Sequence, residues 1–165
     1  MASYPDPPRT HLVTLVSLSN VTHLPCSNEA QTCHGEERSV QLLVIGLGGF
    51  VGTVLRYVLG GLVQSGAGSS AFPWGTLTIN LLGCLGIGLL AELSEARGFL
   101  RPEMRGFLMV GILGGFTTFS AFANETVNAV RDAAMGIALL NVLASVGLGL
   151  DAVWAGRLIA HAIWG

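Results

Sequence analysis

The sequence contains no lysine, and charged residues of all kinds make up only 11% of its 165 positions. Soluble domains carry roughly 25% charged residues, so this chain is too poor in charge to be one. All eight basic residues are arginine, and a formal net charge of −2 predicts no nucleic-acid partner. Three cysteines, Cys26, Cys33 and Cys84, are too few and too scattered for a disulfide framework. These shortages predict lipid as the solvent.

The chain is instead rich in apolar residues and glycine: 51% of its residues are hydrophobic and 23 are glycine. Long apolar stretches approach or exceed the roughly 20 residues that cross a bilayer. We predict four such spans, over residues 40–63, 74–92, 106–127 and 133–155. The fold class is therefore all-α integral membrane, with one four-helix transmembrane domain over residues 40–160.

The two ends of the chain differ from this domain. Residues 1–39 hold three prolines in the first eight positions and four acids, which predicts a flexible polar N-terminal tail, and residues 161–165 form a short C-terminal end. Four spans put both termini on one side of the membrane. The side of the termini carries six arginines: Arg9, Arg38, Arg97, Arg101, Arg105 and Arg157. The other side carries Arg131 alone, or Arg131 together with Arg56. The positive-inside rule then predicts cytoplasmic termini in a cell membrane crossed several times.

The third span contains the weakest helical stretch, Gly114-Gly115 followed by Phe116 and the β-branched pair Thr117-Thr118. We predict that this helix breaks in mid-membrane, at Gly114-Gly115. Unwound backbone at that depth is tolerated inside protein or beside water, and its free carbonyls can then coordinate a cation. A close glycine contact or a simple kink is the alternative.

Aromatic and polar side chains recur at helical spacing within the spans. Phe116, Phe119 and Phe122 share a face if the stretch after the glycines is helical, and their positive ring edges can face an anion. A lipid-facing or core stripe is the alternative. Thr76 and Asn80 lie four residues apart on the second span and offer hydrogen-bond donors, although an interhelical tie is the commoner role of a membrane asparagine. Asn141, Ser145 and Gly149 form a second polar track on the fourth span.

Two of the charged residues inside the spans, Arg56 and Glu125, form a separate candidate cluster. Arg56 is near the end of the first and Glu125 near the end of the third, on the same side of the membrane. Taken singly, Arg56 is predicted to snorkel and Glu125 to be solvated at a helix end. Taken together, they could pair.

Three ordered motifs resemble the CrcB/Fluc family of fluoride channels. They are residues 49–57 (GFVGTVLRY), residues 73–80 (PWGTLTIN) and residues 114–122 (GGFTTFSAF), the last continuing to Glu125. The resemblance implies an antiparallel, dual-topology dimer with two fluoride pores and a central structural sodium ion. It also implies passive fluoride export through the inner membrane and no enzymatic activity.

The resemblance assigns roles by position. It implies that Phe119 and Phe122 are the pore rings and that Asn80 is the amide donor. It implies that Thr76 and Ser145 line the polar track, that Glu125 and Arg56 act near the pore and its vestibule, and that Gly114 and Thr117 offer carbonyls to sodium. Asn141 and Gly149 depart from the family's usual Tyr, Ser or Thr. The arginine bias also departs from a balanced homodimer and leaves a heterodimer with an opposite-bias paralogue open.

Three other function classes compete with this one. A proton-coupled four-helix exporter of small cations would need a carboxylate at mid-membrane, and the first two spans contain none. An intramembrane hydrolase would need a Ser-His or carboxylate constellation, and the only histidine after the tail is His161. A structural subunit would explain the glycines but not the Phe, Thr and Asn on neighbouring spans. We retain the exporter as the runner-up.

Overall fold

The structure is a computed structural model that describes residues 28–97 and 100–164, with side chains described over 38–95 and 100–164. Every regular element in these residues is helical. The elements are α1 (Asn28–Gly66), α2 (Trp74–Arg97), α3 (Pro102–Arg105), a π-helical segment (Gly106–Leu113), α4 (Gly114–Phe116), α5 (Phe119–Arg131) and α6 (Met135–Trp164). Four stretches are long and apolar enough to cross a membrane: Arg38–Gly66, Trp74–Glu95, Pro102–Arg131 and Met135–Trp164. The prediction of an all-helical chain with four spans is confirmed.

The first and third spans begin earlier than predicted. α1 starts at Asn28 rather than at residue 40, because the added turns are rich in Glu, Gln and Arg, which are good helix formers, and the nearest proline, Pro25, lies upstream. The third span starts at Pro102 rather than at residue 106, since proline is suited to the first position of a helix. The part of the predicted flexible tail over residues 1–27 lies outside the described residues.

The second and fourth spans also end later than predicted. α2 continues to Arg97 and α6 to Trp164, so α6 includes most of the predicted C-terminal end over 161–165. The added turns hold polar side chains that contact one another: Arg157 lies 3.1 Å from the Glu95 carboxylate and 3.4 Å from that of Glu92. Partners for these charges allow both helices to extend past the apolar part of each span.

Glycines bring α1 close to the first half of the third span. Gly48 and Gly52 on α1 are four residues apart, and so are Gly111 and Gly115 on the facing segment. A Cβ added to Gly48 would lie 3.1 Å from the Gly111 Cα, and one added to Gly115 would lie 2.5 Å from the Gly49 carbonyl oxygen. Small residues permit such approach of helices in lipid, where packing rather than hydrophobic burial holds them together.

A second glycine contact joins α2 to α6. A Cβ added to Gly88 would collide with the Val153 carbonyl, and one added to Gly156 would collide with the Leu85 carbonyl. The chain therefore forms two closely packed helix pairs, α1 with the π-helical segment and α4, and α2 with α6. The second half of the third span, α5, packs mainly against α6.

The third span is broken, but not at its glycines. Gly114 and Gly115 remain in α4, and the chain becomes extended at Thr117 (φ −83°, ψ 156°) and Thr118 (φ −149°, ψ 113°). The prediction of a break at Gly114-Gly115 is therefore wrong in position. Gly115 is needed for the contact with α1, whereas β-branched threonines fit extended backbone.

The break also divides the predicted aromatic stripe. Phe116 ends α4 and is buried, with 8% of its surface exposed, whereas Phe119 begins α5 and is 79% exposed. Two extended residues between them remove the helical relation on which a shared face depends. The single face predicted for Phe116, Phe119 and Phe122 is wrong, and only the last two rings lie together.

α5 ends in a Schellman motif that turns the chain into α6. The Ala134 N–H donates to the Ala129 carbonyl at 2.8 Å, and the Ala133 N–H donates to the Val130 carbonyl at 3.1 Å. Ala133 takes the left-handed position with φ of 58°, where glycine is usual. This tight turn fixes the angle at which α6 returns along α5.

Most of the apolar surface of one subunit faces outward. Only 11% to 22% of the residues in the most apolar window of each span are buried. Leu43 and Phe50 on α1 and Leu143 on α6 are each more than 60% exposed. Such a surface needs lipid or another protein chain as its neighbour.

Candidate functional site

The broken helix is held by a side chain from α2. The Asn80 carboxamide lies beside Thr118, where its Nδ2 donates to the Thr118 carbonyl at 3.2 Å and its Oδ1 accepts from the Thr118 N–H at 2.9 Å. Both main-chain groups of one extended residue are therefore satisfied by one amide. This pairing is the interhelical tie considered for Asn80, and the second Nδ2 hydrogen remains for another acceptor.

Four main-chain carbonyls, those of residues 114–117, lose their helical partners at the break, because the last helical bond runs from the Thr117 N–H to the Leu113 carbonyl. In a continuous helix the N–H groups of Thr118 and Ala121 would donate to the carbonyls of Gly114 and Thr117. Here the Thr118 N–H donates to Asn80 and the Ala121 N–H donates to the Thr118 hydroxyl at 3.2 Å. Gly114 is also exposed, and an added Cβ would have only the Met109 carbonyl, at 3.9 Å, near it. The carbonyls predicted to face sodium, those of Gly114 and Thr117, are thus two of the four that the break frees.

Gly83 completes the support of the break from α2. It lies three residues after Asn80 and is buried, and a Cβ added to it would collide with the Thr117 Cγ2. The Thr117 methyl group therefore occupies the space left by the missing side chain. Asn80 and Gly83 together determine where the two extended threonines lie.

The first cavity lies on the Phe119 side of the break and has a volume of about 380 Å³. Its polar lining includes Asn80, Thr117, Thr118 and Ser145, and its aromatic lining is Phe119 and Phe122. The two ring centroids are 5.5 Å apart and the ring planes are tilted by 48° to each other. No charged side chain lines this cavity in the described residues.

The second cavity lies on the α1 side and has a volume of about 690 Å³. It contains two charged residues, Arg56 and Glu125, together with Thr76 and Gln64. Thr118 lines this cavity as well as the first one, so the extended residue lies between them. Arg56 and Glu125 share the cavity, but no ion pair joins them within the part of the chain that carries described side chains.

Glu125 is turned into the protein rather than solvated. Its Oε1 accepts a hydrogen bond of 2.6 Å from the Thr76 hydroxyl, and its Oε2 is buried without a partner in the described residues. The prediction that Glu125 is simply solvated at a helix end is wrong, because α5 continues six residues further to Arg131. A buried carboxylate oxygen is costly and marks a position where an ion, a proton or water is expected.

The polar track on α6 is bonded to α5. Asn141 is 2% exposed, and its Nδ2 donates to the Thr126 hydroxyl at 2.9 Å. The Ser145 hydroxyl, which lines the first cavity, donates to the Asn141 Oδ1 at 3.5 Å. Gly149 is buried, with the Cys84 sulfur near it, and adds no polar group. Asn141 itself faces a third cavity of about 250 Å³ beside Glu125.

Comparison with known proteins identifies the family. Residues 43–157 match the family described as CrcB-like protein, Camphor Resistance (CrcB). The chain belongs to this family. The resemblance drawn from the three sequence motifs is confirmed. With four helices able to span a bilayer, this CrcB-like chain is a multi-pass membrane protein.

Relatives of this CrcB-like chain carry a functional name. A protein of Methylobacillus flagellatus named fluoride-specific ion channel FluC is 43% identical over 116 residues, covering 70% of this chain and 91% of that relative. Proteins of the same name from Solibacter usitatus and Geobacter sulfurreducens are each 47% identical, over 122 and 120 residues. These matches cover 74% and 73% of this chain and 99% and 96% of the relatives.

The structure gathers the predicted site residues of the CrcB-like chain around two cavities. The first is lined by Asn80, Phe119, Phe122, Ser145, Gly114 and Thr117, and the second by Arg56, Thr76 and Glu125. Sequence reasoning did not identify Thr118 or Thr126 as parts of the site, and it placed Gly83 on the Asn80 face without giving it a role. For Thr118, the signal was the threonine pair itself. For Thr126 and Gly83, only the three-dimensional contacts reveal the role.

Proposed function

We propose that this chain forms a fluoride-selective channel that lets fluoride leave the cytoplasm passively. The observation that carries the proposal is the first cavity, where two phenyl rings and neutral donors meet with no charged group in its described lining. The name of the FluC relatives supports it, because the alignment with this chain covers 91% and 99% of the length of two of them. No catalytic residue is part of the proposal.

A neutral cavity suits a small hydrated anion. Fluoride must exchange water for donors, and a fixed positive charge at this depth would hold it too tightly to conduct. The edges of Phe119 and Phe122, the second Nδ2 hydrogen of Asn80 and the Ser145 hydroxyl are weak partners that an ion can leave. Arg56 in the wider second cavity would attract the anion towards the break, and Thr76 with Glu125 would line the same vestibule.

The pathway is completed by a second subunit in this proposal. Phe119 is 79% exposed, so one chain leaves its ring open on one side. An antiparallel dimer would cover that face and form two equivalent pathways. The strong arginine bias leaves two versions, a homodimer of dual topology or a heterodimer with a paralogue of opposite bias.

A structural sodium ion fits the freed carbonyls. Gly114 and Thr117 would hold it with oxygen ligands, which a hard cation prefers. When bound, it would supply a positive charge that joins the broken helices of two subunits. Its proposed role is therefore assembly rather than conduction.

Fluoride efflux from liposomes tests the function. Purified protein should release trapped fluoride but not chloride, with potassium permeability supplied to balance charge and no proton gradient imposed. The double variant Phe119→Ile with Asn80→Asp should lose this release. Full efflux by that variant would remove the pore assignment, and transport that demands a proton gradient would favour the cation exporter.

A separate experiment tests topology. Ser69 is exposed in the turn after α1, so Ser69→Cys in a background without the three native cysteines gives one label site. An antiparallel homodimer in sealed vesicles should be labelled from both sides by a membrane-impermeant reagent. Labelling from one side alone would defeat the homodimer and favour the heterodimer.

A further inference from the structure

A chain of three hydrogen bonds runs from α6 to the backbone of α5. The Ser145 hydroxyl donates to the Asn141 Oδ1 at 3.5 Å, and the Asn141 Nδ2 donates to the Thr126 hydroxyl at 2.9 Å. The Thr126 hydroxyl in turn donates to the Phe122 carbonyl at 2.8 Å. Both outer members, Ser145 and Phe122, line the first cavity, and Asn141 is fully buried between them.

The direction of this chain is set by its last member. A main-chain carbonyl can only accept, so the single Thr126 hydrogen is committed to Phe122. The Thr126 oxygen must then accept from Asn141, which turns the Nδ2 of the amide towards Thr126 and its Oδ1 towards Ser145. The Ser145 hydrogen is drawn to that oxygen, so Ser145 presents lone pairs to the cavity.

We propose that Asn141 is a positioning residue that controls whether Ser145 donates to the conducted anion. This inference rests on the proposed function, since Ser145 and the rings share the cavity assigned to fluoride. In the resting arrangement Ser145 is turned away as a donor. Its bond to Asn141 is at the long limit for a hydrogen bond, whereas the Asn141 bond to Thr126 is short. An arriving anion therefore draws the Ser145 hydrogen away while Asn141 stays in place.

This arrangement weakens anion binding at Ser145 and so favours release. Each ion must break the Ser145–Asn141 bond before it gains the Ser145 donor, and the bond re-forms as the ion leaves. Without Asn141 the hydroxyl would turn freely into the cavity. Binding would tighten and exit would slow, as expected when a conduction site becomes too favourable.

A double-mutant cycle on fluoride efflux tests the inference. Asn141→Leu should lower the half-saturating fluoride concentration by about threefold, the scale of one interhelical membrane hydrogen bond, and should lower the maximal rate as well. In the Ser145→Ala background the same change should have no effect on the half-saturating concentration. Equal shifts in both backgrounds would show that Asn141 acts through packing and would overturn the proposal.

A second variant keeps the test independent of the leucine substitution. Thr126→Val preserves shape and leaves Asn141 in place, but frees its amide to rotate and donate to Ser145. It should reproduce the lower half-saturating concentration only while Ser145 is present. The Asn141 side-chain amide resonances, followed by NMR, should shift in Thr126→Val. Unchanged resonances would show that the hydrogen-bond chain is absent and would overturn this inference, whatever ion is transported. Wild-type protein that releases no fluoride would instead refute the proposed function and leave the hydrogen-bond chain itself untouched.

Discussion

Asn80→Asp is expected to reduce anion conduction strongly while leaving the protein folded. In the parent protein the Thr118 N–H donates to the Asn80 Oδ1 at 2.9 Å. The aspartate keeps an oxygen at this place, but it loses the hydrogen that Asn80 donates to the Thr118 carbonyl. One interhelical hydrogen bond in a membrane contributes on average about 0.6 kcal/mol and at most about 1.7 kcal/mol. The protein is therefore expected to fold and to remain assembled.

The added charge has a much larger effect on an anion in the first cavity. Two unit charges about 4 Å apart repel by about 4 kcal/mol at an effective dielectric constant of about 20. Since about 1.4 kcal/mol corresponds to tenfold, fluoride efflux should fall by about a thousandfold. The assay is initial fluoride efflux from liposomes at neutral pH, with elution volume in detergent as the check on folding.

Asn124→Asp is the matched control. Asn124 is exposed on α5 and lines none of the three cavities, so the same change there adds the same charge away from the break. Its efflux should stay within about threefold of the parent, because the added charge lies outside the first cavity. Folded Asn80→Asp protein with efflux within tenfold of the parent would refute the placement of the anion beside Asn80.

Three further predictions concern the scaffold. Gly83→Ala should displace Thr117 and lower stability by about 1–3 kcal/mol, measured by thermal unfolding in detergent, while Gly136→Ala, in open space, should not. Gly52→Ala should separate α1 from the π-helical segment and cause a similar loss of stability. Its control is Gly46→Ala, because an added Cβ at Gly46 has nothing within 4 Å; equal stability of the two variants would contradict the contact. Ala133→Gly should raise stability by about 1 kcal/mol, because it removes a left-handed alanine, and an unchanged or lower melting temperature would count against strain at this turn.

The sequence predicted those features that depend on composition and spacing. Apolar length located the four spans, and the weak helical stretch located the break to within three residues. The break lies after Gly115 rather than at it, because Gly115 packs against Gly49 on α1. No local sequence pattern reveals this contact. The ends of the spans were missed for a similar reason, since Arg157 contacts glutamates more than sixty positions earlier.

The candidate site was predicted unevenly. Asn80 was recognised as a membrane amide, but its partner Thr118 lies 38 residues away, and the pairing depends on the break. Glu125 was placed in water because its distance from the helix end was underestimated. Asn141 was predicted to lie on the polar track of the fourth span, but its bond to Thr126 becomes visible only once α5 and α6 are folded together.

The break in the third span also creates two oppositely polarised helix ends at one depth. Each helix end carries roughly half an elementary charge from its aligned peptide dipoles, positive at the N-terminus and negative at the C-terminus. α5 presents its N-terminus at Phe119, while α4 presents its C-terminus beside Gly114 and Thr117. One interruption in the chain therefore gives a positive potential on the ring side and a negative potential on the carbonyl side. An anion and a cation can each be favoured within a few residues of the other, without any charged side chain in the described lining of the first cavity.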